Sequence, residues 1–184
     1  MQASPTVPID TSAVDALIAR VIQREGGFVD NPADRGGATC WGITIVTLRE
    51  WRRTPISLAD MENLTVEEAE QIYKTKYFTA AGFDRVADPE LQEFLFDFAV
   101  NSGVEAASEA LQSAIGADPD GVLGELSFAA LAAVTNYAAL FYAVKSKRYE
   151  LLMGFIGAHH EQSVFATGWK NRIQPFQKKK RKIR

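Results

Sequence analysis

The sequence predicts a mainly α protein: a helical bundle interrupted by a glycine-rich loop or small β-hairpin at residues 28–44. Three observations predict it. Apolar residues recur at helical spacing through most of the chain, as in Val14, Leu17, Ile18, Val21 and Ile22. Cap signals stand where such stripes begin, at Thr65 with Glu68 and at Asp88-Pro89. Between them the run EGGFVDNPADRGGATCWGIT, residues 25–44, has five glycines and no helical period.

Taken in order, residues 1–11 are a polar, proline-containing lead-in. Ser12 and Asp15 open the first helix, and its stripe extends by the same spacing to Glu25. A carboxylate where an apolar face should continue is the anomaly of the chain. Either it is an acid in an apolar surround, or the helix ends there and turns it to water. After the loop, residues 43–51 read as a short helix. Thr65 starts the next one, with Ala69, Ile72, Tyr73 and Tyr77 on one face and Gly82 as its stop. Asp88-Pro89 starts a third, with Leu91, Phe94, Leu95 and Phe98 as its apolar face and Asp97 and Asn101 four apart on a polar edge. Gly103 breaks the pattern, and residues 104–115 resume it up to Gly116. The stretch DPDGVLGELS, residues 118–127, is turn-rich. Asp118 and Asp120 resemble half a calcium loop, but no further ligand ladder follows, so it reads as a turn. Residues 128–134 and 137–155 are helical, and residues 163–176 are expected to pack back through Phe165, Trp169 and Ile173.

With 184 residues and 47% hydrophobic content, the chain can form one domain or two small lobes without disulfides or metals. The single Cys40 agrees, and the adjacent His159 and His160 lack the i, i+4 spacing of a helical zinc site. We expect no metal, no cofactor and a monomer. The net charge of −3 hides a basic tail, KKKRKIR at residues 178–184; without it the body carries 14 basic against 23 acidic groups. That body disfavours nucleic acid as a partner. The tail reads as a solvated end or as a contact with an anionic wall or membrane surface. No apolar run reaches membrane-span length, and residues 1–12 show no secretory pattern, so synthesis in the host cytoplasm is expected.

The loop holds the residues for glycosidic hydrolysis, which needs an acid for the leaving oxygen and a second group for the opposite face. Glu25 suits the acid, since partial desolvation would raise its pKa; Asp34, on a polar loop, would stay ionised. Thr39 could hold a water or a substrate group. Asp34 could equally form an Asx turn. Cys40 reads as a small buried thiol rather than a nucleophile, and Trp41, Trp51 and Trp169 as core residues before sugar platforms.

The run from Glu25 to Thr44 resembles the signature of glycoside hydrolase family 108: glutamate, two glycines, an aromatic, Pro-x-Asp, two glycines, threonine and a Gly-Ile-Thr end. FDFAVNSG (96–103) resembles its Asp-x-x-x-Asn-x-Gly step, DGVLGELS (120–127) a turn of a helical peptidoglycan-binding region, and FATGWKNRI (165–173) its C-terminal signature. The likeness covers about residues 13–176. It implies a lysozyme-like fold and a phage endolysin or bacterial muramidase cutting the β-1,4 bond between N-acetylmuramic acid and N-acetylglucosamine. It implies Glu25 as the catalytic glutamate, with Asp34 and Thr39 resembling the Glu, Asp, Thr set of phage-type lysozymes, where the threonine stands one residue further on. An inverting route would follow, Asp34 orienting a water. Tyr73, Tyr77, Asp97 and Asn101 are the candidate substrate-binding residues. Residues 12–103 would form the catalytic region and 104–176 a peptidoglycan-binding-like region or an integral half, with peptidoglycan strands as partner and export by a holin or another route. Arg35, where proline is common, and Cys40-Trp41, where a polar residue often stands, depart from the pattern. The rival reading is a non-catalytic peptidoglycan-binding or export-assisting protein.

Overall fold

The computed structural model describes residues 12–30 and 37–158, and the chain divides into two compact units between Ala80 and Ala81. The protein is mainly α, as the periodicity requires.

In the first unit, α1 (Ser12–Glu25) buries its whole predicted stripe against α4 (Val66–Lys74), which presents Ala69, Ile72 and Tyr73. Large apolar side chains buried this way contribute roughly 1.5–3 kcal/mol each. They outweigh the exposed Lys74–Asp15 ion pair at 2.7 Å on the rim of the same contact. Gly26 ends α1 in the left-handed conformation, φ +74°, its N–H donating to the Ile22 carbonyl at 3.1 Å. Val29 then pairs with Thr39 through two N–H···O bonds of 2.8 Å.

The expected hairpin is present and minimal. β1 (Thr39–Cys40) runs antiparallel to β2 (Ile43–Thr44), with Thr39 opposite Thr44 and Cys40 opposite Ile43. Trp41 and Gly42 between them both have positive φ, +54° and +75°, the mirror-image turn whose twist matches the strands. The helix read at 43–51 starts later, because residues 43 and 44 belong to β2 and Thr44 caps α2 (Ile45–Arg52) by accepting from the Thr47 N–H. α3 (Leu58–Glu62) escaped the pattern reading. Five residues carry no measurable period, but Ser57 and Asp60 make a full capping box. At Thr65 only half of the anticipated box forms: Thr65 accepts from the Glu68 N–H, while the Glu68 carboxylate binds Arg52 in a two-pronged pair at 2.9 and 2.6 Å. Beyond Lys74 the helix widens into one π turn, Thr75–Thr79, closed by the Ala80 N–H on the Thr75 carbonyl. Such a turn often sits beside a functional site.

The second unit is organised on α5 (Pro89–Ser102). Asp88 caps it and Pro89 opens it, and its expected apolar face is buried together with Gln92, Phe96, Asp97 and Ala99. A helix buried on so many sides is a core helix, so the polar edge expected for Asp97 is inside. Gly103, φ +92°, turns the chain into α6 (Val104–Ile115), which packs on α5, α7 (Glu125–Ala132) and α8 (Tyr137–Ala158). The boundary drawn at residue 103 from the sequence thus falls at a turn within this unit. In the 118–124 connector, the Asp120 carboxylate accepts from Gln112 Nε2 and from the Val122 N–H, which is turn geometry. Residues 159–184, with the histidine pair, the 163–176 segment and the basic tail, lie outside the described residues.

Arg148, 4% exposed, donates to Asp97 Oδ2 at 2.7 Å, its guanidinium 5.2 and 4.9 Å from the Phe94 and Phe98 ring centres. A buried charge stripped of its partner is costly. Asp97→Asn is therefore expected to lower unfolding stability by about 3–5 kcal/mol in urea titration, and Asp97→Leu with Arg148→Met to regain most of it. In the first unit, Arg52 holds the Glu68 carboxyl below its ordinary range. A lowered acid pKa stabilises the fold above the unfolded value and loses that contribution as the pH falls. Glu68→Gln is expected to cost about 1 kcal/mol at pH 7, with wild type and variant converging in thermal unfolding as the pH falls through and below the ordinary carboxylate range.

Candidate active site

Glu25 is the last residue of α1, where the chain leaves the helix for the hairpin. Its surround is not the apolar one expected from the stripe. The side chain is 40% exposed, and Oε1 accepts from Arg24 Nε at 3.1 Å and Nη2 at 2.8 Å. The physical reason is the left-handed Gly26. The apolar face stops at Ile22, and the helix end turns the next carboxylate outward.

The stem of Glu25 is nonetheless confined. A Cβ built on Gly42 would lie 3.0 Å from Glu25 Cγ, 3.2 Å from its Cβ and 2.5 Å from the Tyr73 hydroxyl. Gly42 is thus the point where α1, α4 and the hairpin turn converge, and only a hydrogen fits there. Trp41 holds the turn in place from three sides. Its N–H donates to the Gly26 carbonyl at 2.9 Å, its Nε1 to the Leu64 carbonyl at 2.8 Å, and its own carbonyl accepts from the Tyr73 hydroxyl at 3.2 Å. A non-glycine residue at φ +54° persists when its surroundings determine it this firmly.

Tyr73 is 4% exposed, and burial pushes its phenol well above the ordinary range, with Tyr77 and Glu25 adding to the shift and Arg24 opposing it. Tyr77 follows on the π turn, half-buried, its ring centre 5.6 Å from that of Tyr73. Thr39 is half-buried at the start of β1, with its backbone committed to Val29. Asp34 lies outside the described residues. Asp97 and Asn101 belong to the second unit, where Asn101 Nδ2 donates to the Asp97 carbonyl at 2.6 Å and to its Oδ1 at 3.3 Å. Glu25, Thr39, Tyr73 and Tyr77 therefore share one unit. Trp41, Gly42 and Arg24 complete the surroundings of the glutamate, and the sequence reading did not single them out for that role. The one available signal was Trp41-Gly42 between two β-forming pairs, a turn dipeptide of unusual composition.

The buried Cys40 has its thiol pushed up by desolvation, which removes the thiolate a nucleophile needs. Among the described residues no cluster of histidine, cysteine and carboxylate could hold a metal ion, and no helix is long and apolar enough to cross a membrane.

Residues 18–103 match the family model described as glycosyl hydrolase 108. The solved structure of Brucella abortus SagA is similar to this chain with a TM-score of 0.72 and 31% identity, over 90% of this chain and 91% of that one. No curated protein matches it. These likenesses place the chain first in a class, the mainly α, lysozyme-like glycoside hydrolases. Within that class it belongs to the glycosyl hydrolase 108 family.

The tight seat at Gly42 has a direct consequence. Gly42→Ala adds a methyl group at a left-handed φ into contact with Tyr73 and Glu25. It is expected to lower unfolding stability by about 1–3 kcal/mol, measured by denaturant titration, and to displace the Glu25 side chain in a crystal structure.

Proposed function

We propose that this glycoside hydrolase is a peptidoglycan muramidase, cutting the β-1,4 bond between N-acetylmuramic acid and N-acetylglucosamine with Glu25 as general acid. The observation that carries this is the state of Glu25: a carboxyl open to solvent on a stem held against Gly42. An acid must meet the leaving oxygen from the surface and still be positioned in advance. The resemblance of residues 25–44 to the family signature supports the same choice.

In this reading Glu25 protonates the glycosidic oxygen while Asp34 orients a water on the other face or stabilises the oxocarbenium-like centre. Thr39 supports that water or a sugar group. Arg24, now bonded to Glu25, has to release it as the glycan docks. Tyr77 on its π turn offers a ring edge to a sugar. Asn101 and Asp97 are already engaged with each other, and Asp97 with Arg148, so we assign them first to the shape of the second unit. The resemblance of residues 120–127 to a turn of a helical peptidoglycan-binding region supports a grip on the glycan strand by that unit. The enzyme would act as a monomer on the wall after export through a holin or another route, with the basic tail against an anionic wall or membrane surface.

Purified protein and a Glu25→Gln variant, each incubated with peptidoglycan, test the reading. Mass spectrometry should find new muramic acid reducing ends with wild type and at least about a hundredfold fewer with the variant. Ends at N-acetylglucosamine would reassign the bond. Pelleting of both proteins with the wall, without cutting, would give the place to the binding or export-assisting reading.

A further inference from the structure

The groups around Gly42 do more than fill space. The phenol oxygen of Tyr73 and the stem of Glu25 converge on the same point beside the Gly42 Cα, and the hydroxyl is at the same time the donor to the Trp41 carbonyl. Trp41 is tied onward to the Gly26 carbonyl, one residue past Glu25, and to the Leu64 carbonyl just before α4. A path therefore runs from Gly26, next to the glutamate, through the Trp41 amide and carbonyl to the Tyr73 hydroxyl, which crowds the same side of Gly42 as the glutamate's stem. Tyr73 reaches this point from a helix already fixed on α1 by buried Ala69 and Ile72.

We propose that Tyr73 is a positioning residue for Glu25: its hydroxyl latches the Trp41 carbonyl, and the latch keeps Gly42 against the glutamate's stem. The inference rests on Glu25 as the acid and assigns Tyr73 a role other than sugar contact. Its burial leaves almost no surface for a sugar, while its hydroxyl is spent inside the protein. A phenol is a donor throughout the neutral range, and burial extends this to more alkaline pH. Loss of the hydroxyl frees the turn, and with it the set of rotamers open to Glu25. Catalysis then falls because the proton donor is misplaced, while glycan affinity is untouched.

Tyr73→Phe in the full chain tests this, since it removes one oxygen and keeps the ring. On soluble peptidoglycan fragments kcat is expected to fall about tenfold or more with KM within twofold. The crystal structure of the variant should show Glu25 in more than one rotamer. Trp41→Phe, which removes the indole tie to Leu64 but keeps the carbonyl and so the Tyr73 latch, should lower kcat by less than Tyr73→Phe does, and an equal or larger loss would overturn the assignment of the positioning to Tyr73. A rise in KM at unchanged kcat would overturn the proposal in favour of glycan contact by Tyr73. Unchanged kcat with Glu25 in its wild-type rotamer would overturn it outright. The crystallographic comparison decides the positioning whether or not wild type cuts peptidoglycan. Absence of cutting by wild type counts against the muramidase reading alone.

Discussion

Beside the Cα of Gly42 there is room for a hydrogen and nothing larger, because the Tyr73 hydroxyl and the Glu25 stem already meet there. The first unit depends on that close approach. It lets the end of α1, the hairpin turn and α4 come together. A side chain on the turn would force at least one of them away, and with it either the buried stripe of α1 or the bond between Tyr73 and Trp41. The positive φ of Trp41 is stable for the same reason: three hydrogen bonds to three different parts of the unit offset the strain of a left-handed tryptophan.

The second unit answers a different problem. α5 is buried on nearly all sides, so its polar residues look for partners within the protein: Gln92 donates to the Asp84 and Val86 carbonyls, while its Oε1 is left without a partner among the described residues. Arg148 supplies a partner for Asp97, with its guanidinium plane near two phenylalanine rings that also form the core. Gln112 does the same for the 118–124 connector, donating to Asp120, Val122 and Ser127 and accepting from the Gly121 N–H. Polar side chains here specify the shape of loops and helix contacts, while the energy of the unit comes from Phe94, Phe96, Phe98 and Phe141.

The contrast explains what a hydrolase of this class asks of its scaffold. With Glu25 as the proposed acid, the carboxyl has to be reachable from solvent while its stem is held in place. The helix terminus supplies the exposure, and the close approach of Gly42, which has no side chain, confines the stem.

The sequence by itself determined the helical class, the stripe of α1, the caps at Thr65 and Asp88, the breaks at Gly103 and Gly116, and the hairpin in the glycine-rich run. All of these follow from local period and backbone preference, which act over a few neighbouring residues. It also marked Glu25 as the residue out of place. Only the tertiary structure decided the rest. The exposure of Glu25 depends on where the Gly26 stop points it, the burial of Tyr73 and Asp97 on which helices pack over them, and the seat at Gly42 on three segments separated by tens of residues. Contacts between distant segments leave no period in the chain, so a glycine that touches a glutamate seventeen residues before it and a tyrosine on another helix reads, in sequence, as one more turn.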